Sequence, residues 1–354
     1  MDQSRRSVLK QGAGLVGTGV TASLAGCSGT GGSVDGGEGA GDDSGSFGGG
    51  YTAFFTLTDW TNRVAGDRAT FEDPVEVGRL GHGWEPSGTL AADVAATDAF
   101  VYLDHPEFAW AQDLASTLEA DYDSVAVIDG LSGLEGDLLA WDHGHGDGDP
   151  DGSGTTETED GHGEDGDGED GHDGGRQTDP HVWVDPVRSA EVVETIAAGL
   201  GDADPDNAEA YADNAEAYAA ELDEIDAAFA ALAERATRDV AVIAGHNSFQ
   251  YLEDRYGFRL HSPVGVSPQN EPTQTEIADT IEIVDREGID TILYDRFGST
   301  TLAEAILENS DATEMAAVSP AGGTTREWNE AGYGYLEQMT EVNLPAFRRA
   351  FGAQ

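Results

Sequence analysis

The residues with the clearest chemistry in this sequence are its nine histidines, of which three stand in structured contexts. His82 lies in GHGWEP, His181 lies between two Asp-Pro steps in DPHVWVDP, and His246 follows the apolar run VAVIAG. Asp295 is the last residue of the run TILYD, so it also lies at the end of an apolar stretch. Imidazole nitrogens and a carboxylate suit zinc, and the carboxylate also tolerates manganese. These four side chains are therefore candidate ligands of one divalent metal ion, although no two of them are close in sequence.

A second group of histidines lies in residues 142–179, a segment made almost entirely of Gly, Asp, Glu and His. Its members are His143, His145, His162 and His172. The segment has no apolar periodicity, so it cannot offset the entropy of ordering, and we expect a flexible loop. Two interpretations stand open: an auxiliary loop that collects metal weakly and quickly, or an acidic linker with incidental histidines. We expect the remaining two, His105 and His261, to be packing or surface residues.

The elements that must position these ligands alternate between helical and strand patterns. Strands are predicted at 74–81, 124–129, 239–245, 290–295 and 315–320, and a helix followed by a strand is predicted over 89–104. Helices are predicted between the strands, and one closing helix over 327–352. Repeated helix-then-strand units predict parallel sheets with helices on their faces, and ligands collect beyond the carboxyl ends of such strands. The alanine-rich run 204–236 predicts one helix of about eight turns, long enough to bridge two lobes.

The resulting domain organisation begins with a targeting segment. Paired arginines in SRRSVLK and the LAGC sequence predict a twin-arginine signal with a lipobox over 1–27, with Cys27, the only cysteine, as the lipidation site. Residues 28–50 form a Gly/Ser-rich tether. An N-terminal α/β lobe (51–203), a linking helix (204–237) and a C-terminal α/β lobe (238–354) follow. We expect a lipid-anchored protein on the extracytoplasmic face of the cell membrane.

The charge of the chain excludes some partners. Its 17 basic and 69 acidic residues give a formal net charge of −52. Such a surface repels nucleic acid and anionic membranes, and it suits solubility in molar salt, where self-repulsion is screened. The pattern is typical of proteins from salt-loving microbes, and we expect no nucleic-acid partner.

Four sequence blocks resemble those of the zinc/manganese solute-binding proteins of ABC importers. They are GHGWEP, DPHVWVDP, AGHNSFQYLEDRYGFRL and SPQNEPTQTEIADTIEIVDREGIDTILYDRFGS, and the match is collinear from about residue 51 to the C-terminus. The resemblance is to zinc-uptake receptors of the cluster A-I type, here as a haloarchaeal lipoprotein. It implies two α/β lobes joined by one long rigid helix, with the metal in the cleft between them. It also implies His82, His181, His246 and Asp295 as ligands.

The implied function is binding of zinc, with manganese as the alternative, and delivery to a membrane permease. No GxxxxGK[ST] segment is present, so the driving ATPase is expected to be a separate chain, and the receptor a monomer. A zinc-dependent hydrolase is the first competing interpretation, but the sequence has neither an HExxH helix nor a nucleophile elbow. A metal-stabilised surface adhesin is the second. We therefore predict a receptor and not an enzyme.

Overall fold

The computed structural model describes residues 47–81, 83–141, 178–265 and 271–353. Ser46–Gln354 form one compact unit. The predicted signal, Cys27 and most of the tether lie outside the described residues, as do His82 and the four loop histidines. None of the helices in the described ranges combines the length and apolar content needed to cross a lipid bilayer.

Two four-stranded, all-parallel sheets form the centre of the two lobes. Their strand orders are β2-β1-β3-β4 and β6-β5-β7-β8, so both lobes repeat the same topology. The strands of the first sheet are β1 (Gly49–Thr52), β2 (Thr70–Glu72), β3 (Ala99–Tyr102) and β4 (Ala126–Asp129). Those of the second are β5 (Val240–Ile243), β6 (Arg259–His261), β7 (Thr291–Asp295) and β8 (Glu314–Val318). The predicted fold class, two parallel α/β lobes, is confirmed.

Helices follow most strands and cover the sheets. In the N-terminal lobe they are α1 (Phe55–Ala65), α2 (Leu90–Val94), α3 (Ala109–Asp121) and α4 (Pro186–Ala203). The long α5 (Ala208–Arg235) connects the lobes. The C-terminal lobe contains α6 (Gln250–Tyr256), α7 (Gln274–Glu287), α8 (Thr301–Asn309), α9 (Arg326–Ala331), α10 (Tyr335–Glu337) and α11 (Leu344–Ala350).

The linking helix α5 owes its length to its composition and its position to one apolar face. It has 28 residues with neither glycine nor proline among them, and alanine is its commonest residue. Its buried side chains recur at the three- and four-residue spacing of a helix, and they are Tyr211, Ala215, Tyr218, Leu222, Ile225, Phe229 and Leu232. This face packs against α1 and α4 in the first lobe and α11 in the second, so α5 is held by both lobes.

One glycine-rich stretch is a strand where composition predicts a tether. β1 begins at Gly49, two residues before the predicted start of ordered structure. Gly49 has a φ of +109°, and a Cβ there would lie 2.1 Å from the carbonyl oxygen of Thr70. A Cβ on Gly50 would lie 1.8 Å from the carbonyl oxygen of Ala99. These glycines therefore permit the close approach of neighbouring strands, a role that glycine has alongside its use in linkers.

Three further expectations differ from the structure. Residues 74–81 form no strand, and the edge strand lies earlier, at β2. β6 was not predicted, because its three residues are too few to show an alternating pattern. The predicted single closing helix is interrupted at Gly332, which adopts the left-handed conformation (φ 74°) and ends α9.

Candidate metal centre

His181 is held by the aspartate two residues before it. The Asp179 Oδ1 atom accepts the His181 backbone N–H at 2.9 Å and lies 2.7 Å from His181 Nδ1. Both side chains are buried. Because a carboxylate accepts, Nδ1 carries the proton and Nε2, on the other side of the ring, is the nitrogen suited to bind a metal ion. This is the arrangement that orients histidine ligands in metal sites.

Asp179, the residue that orients His181, is not among the residues predicted from the sequence. Glu85 and Asp185 are also acidic and close to predicted ligands in sequence, but Glu85 is exposed. Asp185 instead caps α4 by accepting the Val187 N–H at 3.0 Å. The Asp-Pro-His sequence does indicate this role, because an aspartate commonly accepts the backbone N–H of the residue two positions later.

Replacing Asp179 with asparagine is expected to weaken zinc binding by about tenfold, because removing the partner of a ligand histidine typically costs 10–100-fold in metal affinity. The measurement is a competitive zinc titration. Asp129→Asn is the matched control, since Asp129 accepts backbone N–H groups of Leu131 and Asp104 at 2.9 Å and contacts neither histidine. Equal affinities of the two variants would contradict the orienting role.

His246 follows β5 in a loop that is fixed by its own polar side chains. The Asn247 N–H donates to the Gly265 carbonyl at 2.7 Å, and its Nδ2 donates to Glu253 at 2.6 Å. The Ser248 hydroxyl lies 2.6 Å from His246 Nε2. His246 is buried, so its ring has a defined place at the carboxyl end of the second sheet.

Asp295 is the last residue of β7 and lies at the same edge of that sheet. Its Oδ1 accepts the Phe297 N–H at 2.9 Å, and the residue is 9 % exposed. Burial raises the pKa of Asp295 to about 6, while the Phe297 hydrogen bond and the neighbouring His181 act to lower it. A first-lobe histidine is thus among the groups that influence the pKa of this second-lobe carboxyl.

The structure brings part of the predicted ligand set together. The His181 and His246 rings, one from each lobe, have centroids 5.7 Å apart and planes tilted by 38°. Within the described ranges, however, no group of three His, Cys, Asp or Glu side chains is close enough to hold a metal ion. Asp295 therefore does not complete a three-residue group with this pair, and His82, the fourth predicted ligand, lies outside the described residues.

The walls around His181 are aromatic. The Trp183 ring lies 5.2 Å from the His181 ring, edge to face, and also contacts Phe54. Its indole N–H donates to the Pro320 carbonyl of the second lobe at 2.7 Å. Phe249 is only three residues from His246, but its ring packs in the core with its centroid 5.2 Å from that of Phe347. Trp183 thus packs beside His181 and also bonds the first lobe to the second.

The two unassigned histidines are packing residues. His105 is buried, and its Nε2 lies 3.1 Å from the carbonyl oxygen of Thr178. Burial lowers the pKa of His105, so the neutral ring is favoured. His261 is half-buried, with Nε2 2.9 Å from the Thr280 hydroxyl. Thr178 also forms an antiparallel β-bridge with Ala140. The last two residues of the predicted loop 142–179, Thr178 and Asp179, therefore have defined contacts.

Comparison with known proteins decides the family. The family model of ZnuA, described as zinc-uptake complex component A, periplasmic, matches residues 51–350. The chain belongs to this family. The resemblance inferred from the sequence blocks is confirmed at this level, and the family's described role in uptake agrees with the prediction that the chain is not an enzyme.

Individual members of the ZnuA family resemble the chain over most of its length. The zinc-binding lipoprotein AdcA of Streptococcus pneumoniae is 30 % identical over 298 residues, which cover 84 % of this chain and 54 % of that protein. The high-affinity zinc uptake system protein ZnuA of Bacillus subtilis is 25 % identical, covering 84 % of this chain and 85 % of that protein. The chain spans about half the length of the curated AdcA relatives it matches.

A solved member of the ZnuA family shares the fold. The crystal structure of the Zn(II)-bound ZnuA-like domain of Streptococcus pneumoniae AdcA superposes with a TM-score of 0.66 at 27 % identity. The alignment covers 86 % of this chain and 99 % of that one. The two-lobe architecture is thus that of a domain solved with zinc bound.

Proposed function

We propose that this chain is the extracytoplasmic zinc receptor of an ABC importer. The observation that carries the proposal is the buried pair of His181 and His246, which meet from opposite lobes at 5.7 Å between ring centroids. The ZnuA family membership of residues 51–350 supports zinc as the cargo. So do the relatives, one called a zinc-binding lipoprotein and one solved with Zn(II) bound.

In the proposed binding step, zinc enters between the lobes and exchanges its water for protein ligands. His181, His246 and Asp295 supply three of them, and we assign the fourth to His82. Three neutral imidazoles and one carboxylate leave the divalent ion with a net charge of +1, which the acidic chain partly offsets. Because the three described ligands do not yet form a closed group, they must converge further around the ion. A membrane permease with a separate ATPase then receives it.

We further propose that the receptor works as a lipid-anchored monomer. Export through the twin-arginine signal, cleavage before Cys27 and lipid attachment there would tether Ser46–Gln354 outside the membrane. The formal charge of −52 supports function in molar salt, as in a haloarchaeal cell, because salt screens the self-repulsion of so acidic a surface.

The acidic segment 142–179 is proposed to collect metal for the buried site through His143, His145, His162 and His172. Deleting 142–177 is expected to remove weak zinc sites and to leave one tight site with an unchanged dissociation constant, since Thr178 and Asp179 remain. Isothermal titration of the deletion variant beside the full chain measures both classes of site. A full chain that shows a single class of site would support the alternative of an acidic linker.

The experiment that tests the proposed function is a competitive titration of the full chain with zinc and with manganese in molar KCl. One tight zinc site per chain and at least tenfold weaker manganese binding would support a zinc receptor. A preference for manganese would change the cargo. Absence of any tight site would refute the receptor, and hydrolysis of ester or peptide substrates by the zinc-loaded chain would favour the hydrolase interpretation.

A further inference from the structure

The short helix α6 contacts the first lobe beside the histidine pair. It begins at Gln250, four residues after His246, and belongs to the second lobe. Two of its side chains, Tyr251 and Arg255, are bonded to the first-lobe segment that contains His181. The helix therefore connects the backbone that bears one histidine to the backbone that bears the other.

Of these two side chains, Tyr251 bonds to the residue that is closer to His181 in sequence. Its hydroxyl donates to the Asp179 carbonyl at 2.7 Å and accepts the Leu139 N–H at 3.1 Å. The Tyr251 side chain is fully buried. Asp179 is also the residue whose carboxylate orients His181, and its N–H donates to the Leu139 carbonyl at 2.9 Å. The Tyr251 hydroxyl thus bonds to both Leu139 and Asp179, whose backbones also pair with each other just before His181.

A second contact holds α6 independently of this hydroxyl. The Arg255 guanidinium donates to Asp185 through Nε at 2.5 Å and Nη2 at 2.7 Å. The Asp185 side chain is completely buried, and Arg188 also binds it, at 2.5 Å. The Arg188 guanidinium lies 5.1 Å from the centroid of the Tyr251 ring. The ring contact and the ion pair would remain if only the Tyr251 oxygen were removed.

We propose that Tyr251 is a positioning residue, which acts through Asp179 to set the spacing between His181 and His246. The inference rests on the proposed zinc-binding function and adds a specific residue to it. The connection is short on both sides, because Tyr251 is five residues from His246 and its acceptor Asp179 is two residues from His181. Phenylalanine at this position would keep the packing of the ring, because it fills the same space. It would lose the two hydrogen bonds of the buried hydroxyl, so it separates positioning from packing.

The test compares two single-oxygen deletions on the same helix, Tyr251→Phe and Tyr256→Phe, in the full chain. The Tyr256 hydroxyl donates to Asp226 at 2.9 Å and contacts neither histidine segment, so it is the matched control. Tyr251→Phe is expected to weaken zinc binding about tenfold, as does the loss of other residues that hold a metal ligand in position. It is also expected to accelerate zinc release and to change the absorption spectrum of bound Co²⁺. Tyr256→Phe is expected to leave all three unchanged.

A second measurement needs no metal. Amide hydrogen exchange of the metal-free wild-type chain is expected to show a protected Leu139 N–H, because its acceptor is the buried Tyr251 hydroxyl. Protection of this amide should be lost in Tyr251→Phe and kept in Tyr256→Phe. Unprotected exchange of Leu139 in the wild type would overturn the proposal even if the variants failed to fold.

The outcomes separate this inference from the proposed function. If the wild type has a tight zinc site that His181→Ala abolishes, but both tyrosine variants bind zinc equally and give the same Co²⁺ spectrum, only the role of Tyr251 is refuted. If the wild type has no tight site, the proposed function fails first, and the inference falls with it.

Discussion

Replacing His181 with alanine is expected to lower the affinity for zinc by at least about 100-fold. This is more than the loss expected when only the hydrogen-bond partner of a ligand is removed. The reason is that His181 is fully buried and held by Asp179 in one tautomer, with its ring 5.7 Å from that of His246. A competitive titration against a chelator of known affinity measures the loss.

His261→Ala is the matched control for this substitution. His261 is also in a parallel-sheet lobe and contacts the Thr280 hydroxyl, but it is not part of the histidine pair. Its removal is expected to leave the zinc affinity within twofold of the wild type. Retention of tight binding by His181→Ala, or an equal loss in both variants, would show that zinc is held elsewhere.

Acidification is expected to weaken zinc binding by about tenfold per pH unit below about pH 6, because the Asp295 carboxyl must lose its proton before it can bind the metal. Burial raises the pKa of Asp295 to about 6, so this carboxyl takes up a proton at a higher pH than an ordinary aspartate does. Above about pH 7 the affinity should be nearly constant. Titrations at half-unit intervals measure the slope, with tryptophan fluorescence as the check that the chain stays folded. An affinity that does not change between pH 7 and 5 would contradict ligation by the Asp295 carboxylate.

The same raised pKa of Asp295 predicts the opposite trend for the stability of the metal-free chain. Between its ordinary pKa of 3.8 and about 6, the folded state keeps a proton that the unfolded state has lost. The contribution of Asp295 to the unfolding free energy is therefore fully present below about pH 4 and is lost as the pH rises through 6. In Asp295→Asn this part of the pH dependence should disappear, which denaturant unfolding at several pH values measures. An unchanged pH dependence in that variant would show that the carboxyl does not titrate as expected.

The sequence was sufficient to predict the architecture because the relevant signals are local. Alternating apolar runs and helical periodicities identify β3, β4, β5 and β7, and the uninterrupted alanine-rich run identifies α5. The ends of elements were less predictable. Gly49 and Gly50 have the composition of a linker, yet they lie in a strand because two neighbouring backbones approach them closely.

The site was only partly predictable, because its contacts join residues far apart in the chain. The Asp-Pro steps around His181 and the predicted strand before His246 indicated these two histidines, and the structure places their rings together. No local pattern shows that Tyr251 bonds to Asp179, or that Arg255 pairs with Asp185 across the two lobes. Phe249 illustrates the same limit, since its distance in sequence from His246 is short but its ring belongs to the core.

The most direct test of the proposed metal site is a crystal structure of the full chain with one equivalent of zinc, with anomalous scattering recorded at the zinc edge. One strong peak is expected between the lobes, about 2.0–2.2 Å from nitrogen atoms of His181 and His246 and from a carboxylate oxygen of Asp295. His82 is expected as the fourth ligand. A zinc peak that lies away from the His181 and His246 rings would contradict the account.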